Sequence, residues 1–207
     1  MVRSLWLRLR LIGLLGVVLV AWLGCAGSST PPKFYTLSPL ATTGEVGSAK
    51  ETADPNLAIG VGPIRLPAYL KRKEIVTRTD ANQINLAEFD LWGGSLQDDF
   101  SRNLLENLSL LLAGQQFSLY LWPGVGAVDY RVGVDVTRFD GIQGGDVILI
   151  ATWFLREGQS NKVVTSQNSR IQEPTGEQSY EAMVGGMSRA LGRLSREIAE
   201  AIQGLPR

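Results

Sequence analysis

Between Ser95 and Leu112 the apolar residues Leu96, Phe100, Leu104, Leu108 and Leu111 recur at three- and four-residue steps. That spacing lines one side of a helix. Ser95 followed by Asp98 suits a helix start, with the hydroxyl accepting a first-turn N–H. Asp98 and Asp99 then put negative charge where the helix dipole favours it, and Ala113-Gly114 predicts the stop. A second stripe, Tyr180, Met183, Met187, Leu191, Leu194, Ile198 and Ile202, predicts a closing helix with Thr175 as its N-cap. Gly185, Gly186 and Gly192 each cost that helix up to ~1 kcal/mol against Ala. Close packing on a sheet would offset the cost.

Elsewhere the period is two. Strands are predicted over residues 33–38, 57–64, 74–79, 84–89, 116–122, 128–139, 147–155 and 163–171. In "VDYRVGVDVTRF" Val128, Tyr130, Val132, Val134 and Val136 face one way, while Asp129, Arg131, Asp135 and Arg138 supply a wet face. "VILIATWFL" is apolar on both faces and reads as central. "GIQGGD" and "EGQSNK" join the last three strands into an antiparallel meander. Residues 39–56 have the composition of a loop. The fold class expected is α+β: a mostly antiparallel sheet with two long amphipathic helices packed on one face.

The first residues follow another pattern. "MVRSLWLRLR" carries Arg3, Arg8 and Arg10 and no acid, and Leu11 to Leu23 is almost wholly apolar. A basic segment, a short apolar run and small residues make a secretory signal peptide. The run falls short of the ~20 residues that cross a bilayer, so a transmembrane anchor is the weaker reading. The one cysteine of the chain, Cys25, follows directly in "LGCAGSST". Gly24-Cys25 resembles a bacterial lipobox, in which the thiol receives diacylglycerol, with acyl chains of the palmitate kind, and becomes the mature N-terminus. The other fate of a free cysteine, burial as a small hydrophobe, suits these polar neighbours poorly. Residues 1–24 are thus expected to be a signal peptide, 25–32 a lipidated N-terminus and flexible tether, and 33–207 a single periplasmic domain. In lipoproteins resembling this one, Asp after the cysteine retains the protein at the inner membrane. Ala26 stands there, which points to the outer membrane.

Charge and chemistry narrow the function. Lys+Arg and Asp+Glu number 20 each in the 207 residues, and loss of the leader's arginines leaves an excess of acid. A nucleic-acid binder would show a basic face, so no such partner is expected. With no histidine, Ser-His-Asp and Cys-His catalysis are excluded, the commonest zinc ligand is missing, and no cofactor is expected. There is no P-loop and no dinucleotide fingerprint. A carboxylate pair such as Asp98-Asp99 could serve acid–base chemistry, but the helix start accounts for it, and no catalytic or metal-binding residue is assigned.

Two short stretches remain as candidate contacts. In "LPAYL" Leu66, Pro67, Tyr69 and Leu70 form a proline-bounded loop whose aromatic suits an interface; the alternative is that Leu66 and Tyr69 close the core. Lys71, Arg72 and Lys73 could meet an anionic lipid surface at ~1 kcal/mol each, or be a solvated loop.

"KFYTLSP", "VGPIRLPAYLKRKEIVTR", "LWGGSLQDDFSRNLLENL", "YRVGVDVTRFDG" and "VILIATWFL" occur in this order after the cysteine. As a set they resemble the ABC-type transport auxiliary lipoprotein family. The resemblance implies a non-catalytic accessory of an ABC lipid transporter. It would be anchored in the outer membrane through Cys25 and would dock an MCE-domain partner protein there. A homo-oligomer is a further possible assembly. The competing expectation is a structural or assembly lipoprotein of the outer membrane.

Overall fold

The computed structural model of the protein describes residues 30–43, 57–112, 114–119 and 127–205. Cys25 and most of the tether lie outside these. From Pro32 onward the chain forms one compact unit. Its elements in chain order are β1 (Lys33–Tyr35), α1 (Leu40–Thr43), β2 (Ala58–Arg65), a 3-10 turn (Ala68–Leu70), β3 (Glu74–Arg78), β4 (Ile84–Trp92), α2 (Leu96–Leu111), β5 (Gln116–Leu119), β6 (Tyr130–Gly141), β7 (Asp146–Glu157), β8 (Val163–Pro174) and α3 (Tyr180–Gln203).

The meander β6–β7–β8 forms as its short turns predict, antiparallel along its length. Gly144, with φ +73°, makes the tight reversal between β6 and β7. The rest of the sheet differs from expectation. It is mixed, not mostly antiparallel: β1–β4, β2–β5, β2–β6 and β3–β6 are all parallel pairs. Hairpin turns reveal antiparallel neighbours, but parallel neighbours are brought together by crossovers, and these leave no turn signal. Here α2 carries the chain from β4 to β5. The consequence is a branched sheet. β6 has β7 along one edge. On its other edge β2 pairs from Ile59↔Tyr130 to Arg65↔Asp135, and β3 touches at Thr77↔Gly141. Residues 66–73 are therefore an excursion between two strands that run the same way along β6.

A bulge between Val136 and Arg138 shifts the alternation of β6. Val132, Val134, Val136 and Phe139 consequently share the buried, helix-covered face, and Asp140 turns to the other. Phe100 of α2 meets Phe139 edge to face, with centroids 5.5 Å apart. The stripe of α3 is buried as predicted, from Met183 to Ile202. Gly186 lets α3 approach Val147, and Gly192 faces the buried Leu40. Ser95 caps α2 by accepting from the Asp98 N–H at 3.3 Å.

Two local expectations need correction. The N-cap of α3 is Ser179, which accepts from the Ala182 N–H at 3.0 Å. Thr175 instead donates its hydroxyl to the Gly145 carbonyl, fastening the end of β8 to the β6–β7 turn. Of the loop expected over 39–56, residues 44–56 lie outside the described residues, and Leu40–Thr43 form a helical turn that buries Leu40. That segment is held by three side-chain acceptors. Asp99 takes the Leu37 N–H at 2.6 Å, Ser188 the Ser38 N–H at 3.0 Å and Asn107 the Leu40 N–H at 2.8 Å. Asp99 thus does more than complement the helix dipole: it joins α2 to the first segment of the domain.

Candidate docking surface

The excursion of residues 66–73 begins with Pro67, whose φ of −61° starts the 3-10 turn, and Leu70 N–H bonds to the Pro67 carbonyl at 3.0 Å. The turn sends Leu66 and Leu70 into the core, at 4% and 2% exposure. What the loop presents outward is the exposed Ala68, with Pro67 and Tyr69 half-buried beside it. The candidate contact read from the sequence therefore narrows to Pro67, Ala68 and Tyr69.

Beneath Tyr69 lies a polar network that the sequence did not reveal. The Asp140 side chain is 0% exposed. Tyr69 Oη donates to Asp140 Oδ2 at 2.6 Å. Arg78 Nε donates to both carboxylate oxygens at 3.0 Å, and Arg138 Nε to Oδ1 at 2.9 Å. Burying a carboxylate costs several kcal/mol unless it is paired and hydrogen-bonded; here both oxygens are occupied by donors. Burial, and then the bond to Asp140, push the Tyr69 hydroxyl up to about 12. Desolvation works against the Arg78 charge, yet Asp140 and Tyr69 outweigh it and hold that guanidinium above its ordinary value. The Arg78 guanidinium also lies 5.7 Å from the Tyr69 ring centroid. The network pins the excursion to β3 and β6.

Lys71, Arg72 and Lys73 are exposed. Among the described residues none of the three is in an ion pair. Lys71 and Arg72 border a cleft of about 330 Å³ whose apolar wall is Leu66, Leu70 and Leu96. A second groove, about 450 Å³, runs between the β1–α1 segment and α3, past Tyr35, Glu181, Gly185 and Arg189. Neither has a convergent set of catalytic groups, and among the described residues no group of three or more His, Cys, Asp or Glu could hold a metal. Asp98 and Asp99 lie on α2, where the cap and the bond to Leu37 account for them. Among the described residues no helix is long and apolar enough to cross a membrane.

The sheet face away from the helices carries exposed apolar residues. Phe34 is 65% exposed, and Ile84, Leu86 and Phe89 are exposed as well. Register explains their placement. Phe34 pairs with Leu91, Leu86 with Val76 and Ile84 with Arg78, so all lie on the side where Arg78 meets Asp140. These residues were missed in the sequence because β4 reads as an ordinary strand. The signal was present: "INLAEFDLW" is apolar in both phases, yet the described helices lie on only one face of the sheet.

The described residues thus form a mixed sheet with two long helices on one face. The chain belongs to the ABC-type transport auxiliary lipoprotein component family, whose model matches residues 35–199; this is not a class of enzyme. It is similar to the intermembrane transport lipoprotein PqiC of Escherichia coli strain K12, 26% identical over 187 residues, covering 89% of this chain and 94% of that protein. The PqiC of Shigella flexneri matches equally. A crystal structure of protein XCC0632 from Xanthomonas campestris superposes with a TM-score of 0.65 at 15% identity, over 83% of this chain and 96% of that one. A crystal structure of an uncharacterized protein gives a TM-score of 0.68 at 21% identity, over 84% and 99%. Both share the fold.

Proposed function

We propose that this protein is a lipid-anchored accessory of an ABC lipid transporter. In this reading it holds an MCE-domain protein of that transporter at the outer membrane. The observation that carries the reading is the family match, which spans almost the whole folded body and follows a cysteine placed as a lipid attachment site. In this reading several acyl chains hold the protein, since each buried methylene contributes ~0.8 kcal/mol and one chain alone binds only marginally. The transporter-facing contact is the loop tip at Pro67, Ala68 and Tyr69, held rigid by Asp140, so that little ordering cost is met on binding. Lys71, Arg72 and Lys73 assist where an anionic lipid surface approaches.

The test is in-cell crosslinking of the full-length protein beside Cys25→Ala, with the captured proteins identified by mass spectrometry. Recovery of an MCE-domain protein, weakened in the variant, is expected. Recovery of outer-membrane-protein or lipopolysaccharide-export components without an MCE protein would favour an assembly lipoprotein instead.

A further inference from the structure

We infer that the outer edge of the sheet, Phe34 on β1 with Phe89 and Leu91 on β4, lies against the lipid bilayer that holds the N-terminus. The inference rests on the lipid anchor proposed above and adds an orientation of the body to it. Its first support is exposure. Phe34 is 65% exposed and Phe89 37%, on strands whose Phe34↔Leu91 register puts these side chains on one face. Monomeric domains seldom leave such neighbours bare without a partner surface.

The second support is where the anchor joins. Residue 34 is nine positions from Cys25, and at 3.3–3.6 Å per residue Phe34 stays within roughly 30 Å of the acyl chains. A short tether makes contact with the membrane effectively intramolecular, so a weak apolar contact is populated that would fail in free solution. Charge adds nothing to this: Lys33 pairs with Asp90 on the other face, and Glu74 is the charged residue opposite Leu91, so the apolar side chains are the contact.

The test uses full-length, lipidated protein in vesicles of phosphatidylethanolamine with a minor share of phosphatidylglycerol. Cys25 is the one cysteine, so once it is acylated an introduced cysteine is the one free thiol. An environment-sensitive fluorophore is placed at Phe89→Cys or, on the opposite layer, at Glu106→Cys of α2. Quenching by nitroxide-bearing lipid should be several-fold stronger at 89 than at 106. Phe34→Asp should bring position 89 down to the level of 106, while Phe34→Leu should largely keep it. Phe34 is mostly exposed, so unchanged unfolding midpoints are expected for both variants. Equal lipid quenching at the two positions overturns the inference. So does a label at 89 shielded from both lipid nitroxide and aqueous iodide, which would mean a protein covers this edge. Intact mass separates the two levels. Absence of acyl mass overturns the anchor and this orientation together; acyl mass with equal quenching overturns the orientation alone.

Discussion

At the scale of single residues the decisive group is Asp140. Its charge is tolerable inside the fold because Arg78, Arg138 and Tyr69 surround it. Asp140→Asn keeps the shape but leaves two guanidiniums facing an amide, and removing one member of a buried pair costs about 3 kcal/mol. The expected result is a lower urea midpoint with an unchanged slope. Tyr69 gives a second readout. Its hydroxyl and that of Tyr35 are raised from an ordinary 10 to about 12, in both cases by burial first and then by a carboxylate neighbour, Asp140 and Asp90 respectively. A raised pKa means that the folded state holds the proton where the unfolded chain has lost it. Stability is therefore complete below pH 10 and declines as pH rises from about 10 to about 12. Unfolding measured across that range should show the decline, and Tyr69→Phe should flatten part of it. None of this was legible in the chain: Arg138 is two positions from Asp140 on β6, but Tyr69 and Arg78 reach that carboxylate only through the branching there.

At the scale of elements, legibility follows locality. The stripes of α2 and α3, the Ser95 cap and the β6–β7–β8 meander depend on neighbours within a few residues, and all were readable. The start of α3 was not. Thr175 and Ser179 are both cap-forming types, Ser somewhat the better, and the Gly145 carbonyl, thirty positions away, claims the Thr175 hydroxyl. The glycines of α3 make the same point and yield a paired prediction. A methyl at Gly185 would meet only Arg189 Nη1, at 3.6 Å, so Gly185→Ala should raise stability by up to ~1 kcal/mol. A methyl at Gly192 would come within 2.6 Å of Leu40 Cδ2. Leu40 is buried, so overpacking of about 1–3 kcal/mol outweighs the helix gain. Thermal unfolding of the two variants should move in opposite directions.

At the scale of the whole molecule, the parallel pairings escaped the sequence because crossovers carry no turn signature, and they decide what the surface offers. Branching at β6 creates the excursion of residues 66–73. It also leaves β1 at the sheet edge, beside β4, with an outer face that none of the described helices covers. The anchor and the loop tip are then separate contacts with separate tests. Ala68 is exposed at the tip and outside the Asp140 network, so Ala68→Arg should leave the unfolding midpoint within about 0.5 kcal/mol of the parent, as surface substitutions do. A desolvated charge at the centre of an interface is costly, so the same variant should lose most of the crosslinked partner while remaining in the membrane fraction. Cys25→Ala should do the reverse: leave the membrane fraction yet keep a partner-binding surface that purified protein can show. If Ala68→Arg retains full crosslinking at unchanged stability, the transporter contact does not lie at this loop, and the 450 Å³ groove beside α3 becomes the next surface to alter.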